Sequence, residues 1–203
     1  MKAKTVFLIS ALTFLWSASE SQAQAVPGGN EPWTAQWITA ADAPARDEAV
    51  LHFRKIIQVA VPPSHFLVDV SADNQFLFEV NQRRVGTGPS RSDLAHWKYE
   101  TYDIAPMLHA GRNVLSATVW NFGVNSAIAQ MSDRIGFLLH GRDLEHLADT
   151  NPCWEVEVEK GIRTLQPEMN NYYAAGPGER LDGTAFDWSW NSGSAGSKWT
   201  KAI

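Results

Sequence analysis

The sequence predicts an all-β protein, an antiparallel β-sandwich of jelly-roll type followed by a linker and the start of a second β-domain. Three observations carry this. Short apolar runs alternate with period two, the pattern of strands with one buried face. Turn-forming residues separate these runs at intervals of about 8–15 residues, the spacing of sandwiches and barrels. No stretch beyond residue 25 shows the 3.6-residue apolar period of an ordinary amphipathic helix.

Taken in order, Pro and Gly between Val26 and Asn30 mark a linker over 26–32. Trp33, Ala35 and Trp37 then alternate as a first strand. Leu51, Phe53, Ile57 and Val59 alternate in a longer one, ended by Pro62 and Pro63. Phe66, Val68 and Val70 predict a third strand. Phe76, Phe78 and Val80 predict a fourth, alternating with Leu77, Glu79 and Asn81. Val85 belongs to a short return strand, and Trp97 to Tyr102 reads as another. Asp103 caps a turn of helix through Met107 and Leu108 that Gly111 closes. Val114 to Trp120 and Ile135 to Leu139 complete a sandwich over residues 33–150.

After Asn151 and Pro152 the texture changes. In "WEVEVEKG", Glu155, Glu157 and Glu159 share one side of a strand, expected to be a solvated face because like charges repel there. Trp188, Trp190 and Trp199 follow in a stretch rich in Gly and Ser. About fifty residues are too few to build a core around them. Residues 151–203 are therefore expected to be a linker and an incomplete second β-domain, with tryptophans that need a partner outside the chain.

Residues 1–25 read as a secretory signal. Lys2 and Lys4 precede an apolar run from Val6 to Trp16, and small residues at Ser21, Ala23 and Ala25 offer cleavage sites. The run is shorter than the roughly 20 residues of a membrane span, and no cysteine stands at the cleavage point for a lipid. The expectation is an exported protein, periplasmic or secreted, with no membrane partner. Removing Lys2, Lys4 and Glu20 leaves 15 basic and 21 acidic residues, a net charge near -6 that argues against nucleic acid. Cys153 is the single cysteine, so no internal disulfide forms.

Few motifs promise chemistry. "GTGPSR" at 86–91 half-resembles a phosphate-gripping glycine loop, but no helix start follows to aim backbone N–H groups, so a turn is expected. His140 and His146 lack further ligands at metal spacing, and Cys153 stands alone; no metal site and no cofactor are expected. The richer candidate is the loop from Arg91 to Trp97. A ring that stacks on a pyranose face, with charged and amide groups for the hydroxyls, makes a sugar site. Arg91, Asp93, His96, Trp97 and Asn121 supply those types as candidate ligand-binding residues. The competing reading has Trp97 packing inward while the loop closes the sandwich or faces another domain, and that reading is the expected one.

The segments "FRKIIQV", "SADNQFLFEVNQRRVGTGPSRSDLAHWKYETYDIAPML", "GRNVLSATVWNFG" and "RIGFLLHG" resemble the N-terminal region of bacterial α-L-rhamnosidases, inverting glycoside hydrolases. The likeness continues through "YYAAGPGERLDGTAFDWSWNSG" and covers nearly all of 33–203. It implies a galactose-binding-like sandwich and, as partner, a rhamnose-containing glycan. One departure stands in the hairpin turn, where the family has Gly and this chain has Gln82; a longer or strained turn is expected. The family's catalytic carboxylates sit in a later helical barrel, and an inverting pair stands about 6.5–9.5 Å apart. No catalytic residue carries over. The expected function is a non-catalytic part of an exported rhamnosidase-like enzyme, a fragment inactive by itself. A free-standing carbohydrate-binding module is the alternative, and a small complete glycosidase a remoter one.

Overall fold

The computed structural model describes residues 32–142, 147–165, 176–194 and 198–203. The expected leader, nearly all of the linker, and His146 lie outside the described residues. Within them all regular structure is β-strand or single 3-10 turns, and no helix is long and apolar enough to cross a membrane.

Among the described residues eleven strands form. They are β1 (Ala49–Val59), β2 (Leu67–Asp73), β3 (Gln75–Val80), β4 (Arg83–Gly88), β5 (Glu100–Asp103), β6 (Gly111–Asn121), β7 (Gly136–Gly141), β8 (Glu155–Glu159), β9 (Ile162–Leu165), β10 (Gly178–Leu181) and β11 (Thr200–Lys201). One sheet has the order β11-β8-β1-β6-β3-β4, a second β5-β2-β7, and β9 with β10 makes a separate hairpin. All pairings are antiparallel. The core lies between the two larger sheets: Leu51, Phe53, Phe76, Phe78, Leu115, Val119 and Val156 from one, Val68, Val70, Phe137 and Leu139 from the other. This is the predicted sandwich.

The alternating residues do what their period requires. In β1 and β6, Leu51 pairs with Val119 and Phe53 with Ala117, so both inward sets meet in one layer. Trp33 to Trp37 forms no strand; Ile38 alone bridges Phe137 and extends the smaller sheet. Trp97 also falls outside a strand, because only Glu100 to Asp103 pairs with β2. The 3-10 turn Ala105–Met107 has Ile104 rather than Asp103 at its N-cap and Leu108 rather than Gly111 at its C-cap, though Asp103 Oδ1 accepts the Ala105 N–H at 3.0 Å and the Phe66 N–H at 3.0 Å.

The β3–β4 turn is two residues long, with Asn81 at φ 52° and Gln82 at φ 63°, so it is not lengthened. Two positive φ values suit a type I′ hairpin, and a non-glycine residue there costs about 1–2 kcal/mol. The Asn81 side chain offsets that cost. Its Nδ2 donates to the Met107 carbonyl at 2.9 Å and to Asn113 Oδ1 at 2.8 Å, while its Oδ1 accepts the Val114 N–H at 2.9 Å.

The region after Asn151 differs from its expectation. β8 pairs with β1 over five residues and β11 pairs with β8, so this segment runs back into the large sheet. Trp154 is fully buried, and Trp190 nearly so. The residues from Trp33 to Ile203 form one compact unit. Glu157 and Glu159 are not solvated but buried. The reason is the chain's own return: residues 182–194 and Trp199 lie over the outer face of the sheet. Trp190 stacks on His52 at 4.0 Å, Arg54 Nη1 donates to the Ser194 carbonyl at 2.7 Å, and the Arg54 guanidinium lies 3.8 Å from the Trp199 ring centre. All three tail tryptophans thus find partners inside the chain, though Trp188, edge-on to Phe186 at 5.0 Å and donating to the Gly183 carbonyl at 3.2 Å, stays exposed.

Candidate functional site

The loop from Arg91 to Trp97 leaves β4 after Pro89, with no helix behind it. "GTGPSR" is a strand end and a turn, as its sequence suggests. Its glycines answer to close packing, since a Cβ on Gly86 would lie 2.4 Å from the Tyr102 ring.

Within the loop, Asp93 Oδ1 accepts the Ala95 and His96 N–H groups at 2.8 and 2.9 Å, and His96 Nδ1 stands 2.9 Å from the same carboxylate. The His96 ring, then the backbone N–H groups, hold the Asp93 carboxyl below its ordinary value. Arg91 is exposed and donates to the Ile128 carbonyl at 3.3 Å. Arg91, Asp93 and His96 therefore tie the loop to itself and to its neighbour.

Trp97 is half-buried and walls a cleft of about 710 Å³. Trp37 meets it edge to face, with ring centres 6.2 Å apart, and Leu94 and Ile135 add apolar wall. Asp73 and Arg134 supply the polar lining. Asp73 is buried at the end of β2; its Oδ2 accepts the Asp133 N–H at 2.6 Å and the Arg134 N–H at 2.9 Å. Burial pushes its carboxyl up, and the surrounding donors pull the other way. Asn121 stands behind this carboxylate. Its Nδ2 donates to Ser132 Oγ at 2.8 Å and lies 3.5 Å from Asp73 Oδ1, so it braces the cleft without lining it.

Of the five candidates, the fold brings Trp97 to the cleft wall and Asn121 to its support; Arg91, Asp93 and His96 stand outside the lining. Trp37, Leu94 and Asp73 were missed. Trp37 was assigned to a strand by its alternation with Trp33 and Ala35. Asp73 carried a usable signal, a second carboxylate on the polar Asp69–Ser71 side of β2. A tryptophan pair with a desolvated carboxylate at the base is suited to a small ligand with an apolar face and hydroxyl groups.

A second cleft of about 450 Å³ lies between Gln75, Ser90, Glu100, Trp120, Phe122 and Glu179. Glu100 Oε1 accepts from the Ser90 N–H at 3.1 Å and hydroxyl at 3.0 Å. Burial raises the Glu179 carboxyl.

No family model matches the chain, and no curated protein matches it. Solved structures do. The GH78 family rhamnosidase of Bacillus sp. GL1 aligns at 28% identity with a TM-score of 0.74, covering 85% of this chain and 18% of that one. An α-L-rhamnosidase from Dictyoglumus thermophilum aligns at 16% identity and TM-score 0.65, covering 86% and 21%. The α-L-rhamnosidase from Aspergillus terreus aligns at 19% and 0.59, covering 83% and 21%. The last two establish the fold. This chain spans about a fifth of the length of each enzyme. In sequence and in fold, then, it resembles a β-sandwich segment of the GH78 α-L-rhamnosidases.

Proposed function

We propose that this chain is a non-catalytic β-sandwich of an exported α-L-rhamnosidase-like glycoside hydrolase that acts on rhamnose-containing glycans. The observation that carries the reading is the likeness to the Bacillus sp. GL1 rhamnosidase, which takes in 85% of this chain. The sandwich then serves the enzyme as scaffold or as docking face, and the acid and base act elsewhere. The leader-like first 25 residues are the support for export.

The assay is release of nitrophenol from an aryl α-L-rhamnoside by the full chain. No turnover above buffer is expected, since each positioned acid or base contributes about 10²–10⁴-fold. Asp73 and Asp133 share the larger cleft and Glu100 and Glu179 the smaller, so turnover abolished by Asp73→Asn, Asp133→Asn, Glu100→Gln or Glu179→Gln would overturn the reading in favour of a small complete glycosidase.

The Trp37–Trp97 cleft favours a second reading, a free-standing carbohydrate-binding module. Its test is saturable quenching of tryptophan fluorescence by L-rhamnose, lost in Trp97→Ala.

A further inference from the structure

The outer face of the large sheet holds a cluster that neither cleft uses. His52 in β1 stands in register with Glu157 in β8, and Glu159, two residues on, pairs with Val50. The His52 side chain is 1% exposed, those of Glu157 and Glu159 4% and 3%. His52 Nδ1 lies 3.4 Å from Glu157 Oε1 and 3.6 Å from Glu159 Oε2, and the three ligand atoms fall within 4.8 Å of one another.

Those separations are long for charge-assisted hydrogen bonds, which run at about 2.7–2.9 Å. They match the edge of a ligand tetrahedron: arms of about 2.0–2.2 Å place neighbouring donors roughly 3.3–3.6 Å apart. A second observation points the same way. Glu157 Oε2 is buried with no hydrogen-bond partner among the described residues. Glu159 is set differently, because its Oε1 accepts the Gly161 N–H and its Oε2 is left for His52. The nearest cation in register, Arg54, is engaged by Glu155 at 2.9 Å, by the Ser194 carbonyl and by Trp199. Glu157 Oε2 and His52 Nε2 are thus both buried without a hydrogen-bond partner among the described residues, and an unsatisfied buried polar atom is unfavourable.

We propose that His52, Glu157 and Glu159 hold a divalent transition-metal ion in a buried site, zinc being an ion that takes both imidazole nitrogen and carboxylate oxygen. The second oxygen of Glu157 or a water completes the coordination. Trp190 stacked at 4.0 Å and Phe186 edge-on at 5.7 Å cover the imidazole, so the ion would fasten the returning tail onto the sheet. The expectation of no metal site considered His140, His146 and Cys153. This set is assembled instead by strand register across 105 residues.

The test uses the full chain, stripped with a chelator and titrated with zinc chloride by calorimetry and with cobalt(II) by visible absorption. One ion per chain, four-coordinate cobalt bands and a raised Tm are expected. Glu157→Gln/Glu159→Gln should remove the bands and weaken zinc binding beyond the roughly 10–100-fold that losing an outer hydrogen-bond partner costs. Exposed His65, 2.8 Å from Asp103, is the competing site, and His65→Gln should leave binding unchanged. Absence of stoichiometric binding in the folded native chain overturns the proposal whether or not the variants fold. So does binding that survives the double substitution or vanishes with His65→Gln.

Discussion

Two segments place a tryptophan outside any regular strand, and the fold uses them in opposite ways. Trp190, in the tail over 182–194, is 6% exposed and stacked on His52. Trp97, at the end of the 91–97 loop, is half-buried beside Trp37, itself 46% exposed, and walls an open cleft. Both segments are built locally from the same device, an Asp that accepts backbone N–H groups two or three residues on: Asp93 in the loop, Asp182 and Asp187 in the tail. What separates them is the surface underneath. The tail lies over buried polar side chains, His52, Arg54, Glu157 and Ser116, that need to be shielded and bonded. The loop lies beside a sheet end where Asp73 is already supplied with N–H donors, and Trp97 buries its indole Nε1 while the rest of its ring lines the cleft. A tryptophan is a seal or a platform according to what its neighbours lack.

The contrast is broken most forcefully at Trp190. Trp190→Ala uncovers His52 and should cost about 3 kcal/mol, toward the low end for a buried ring, measured by denaturant unfolding. It should also open 182–194 to protease, since segments with few remaining contacts unfold locally. A loss below 1 kcal/mol would mean that the tail does not seal the sheet. Trp97→Ala should cost less, about 1–2 kcal/mol, because its ring is only partly removed from water; a loss matching that of Trp190→Ala would make it a core residue after all.

The smallest effect is a pH dependence that sharpens the likeness between the two segments. The carboxyls of Asp93, Asp182 and Asp187 are all held low, the first by His96, the second by the Thr184 hydroxyl, the third by the Ser189 N–H. A lowered folded value means that these turns contribute fully above the unfolded value of about 3.9 and lose that contribution as pH falls through the lower folded value. Asp73 has the opposite sign: its raised value makes the ionised form the costly one, so stability declines as pH climbs through that value. Carbon-detected NMR titration of the side-chain carboxyls should place the three turn aspartates below about 3.9 and Asp73 above it. Midpoints in the reverse order would refute the hydrogen bonding described for both segments.

The sandwich was legible because inward residues repeat with period two. Leu51, Phe53 and Ile57, or Phe76, Phe78 and Val80, declare their buried face without reference to any other strand. The candidate site was legible only in part. Trp97 was identified from its residue type and loop position, whereas Trp37 and Asp73 reach the same cleft from segments distant in sequence. The Asp-x-Ala/His and Asp-x-Ser/Thr turns were within reach, being contacts of two or three residues.

What the sequence determined by itself are the properties set by near neighbours: strand periodicity, turns and caps, charge, and the likeness carried by contiguous motifs. The tertiary structure decided the fate of residues after Asn151. Period two says that Glu155, Glu157 and Glu159 share a face, but it is silent on whether water or protein meets that face. The answer came from β8 pairing with β1 and from Trp190 and Trp199 folding back over His52 and Arg54. Burial depends on which distant segment covers a surface, and local spacing holds no record of that.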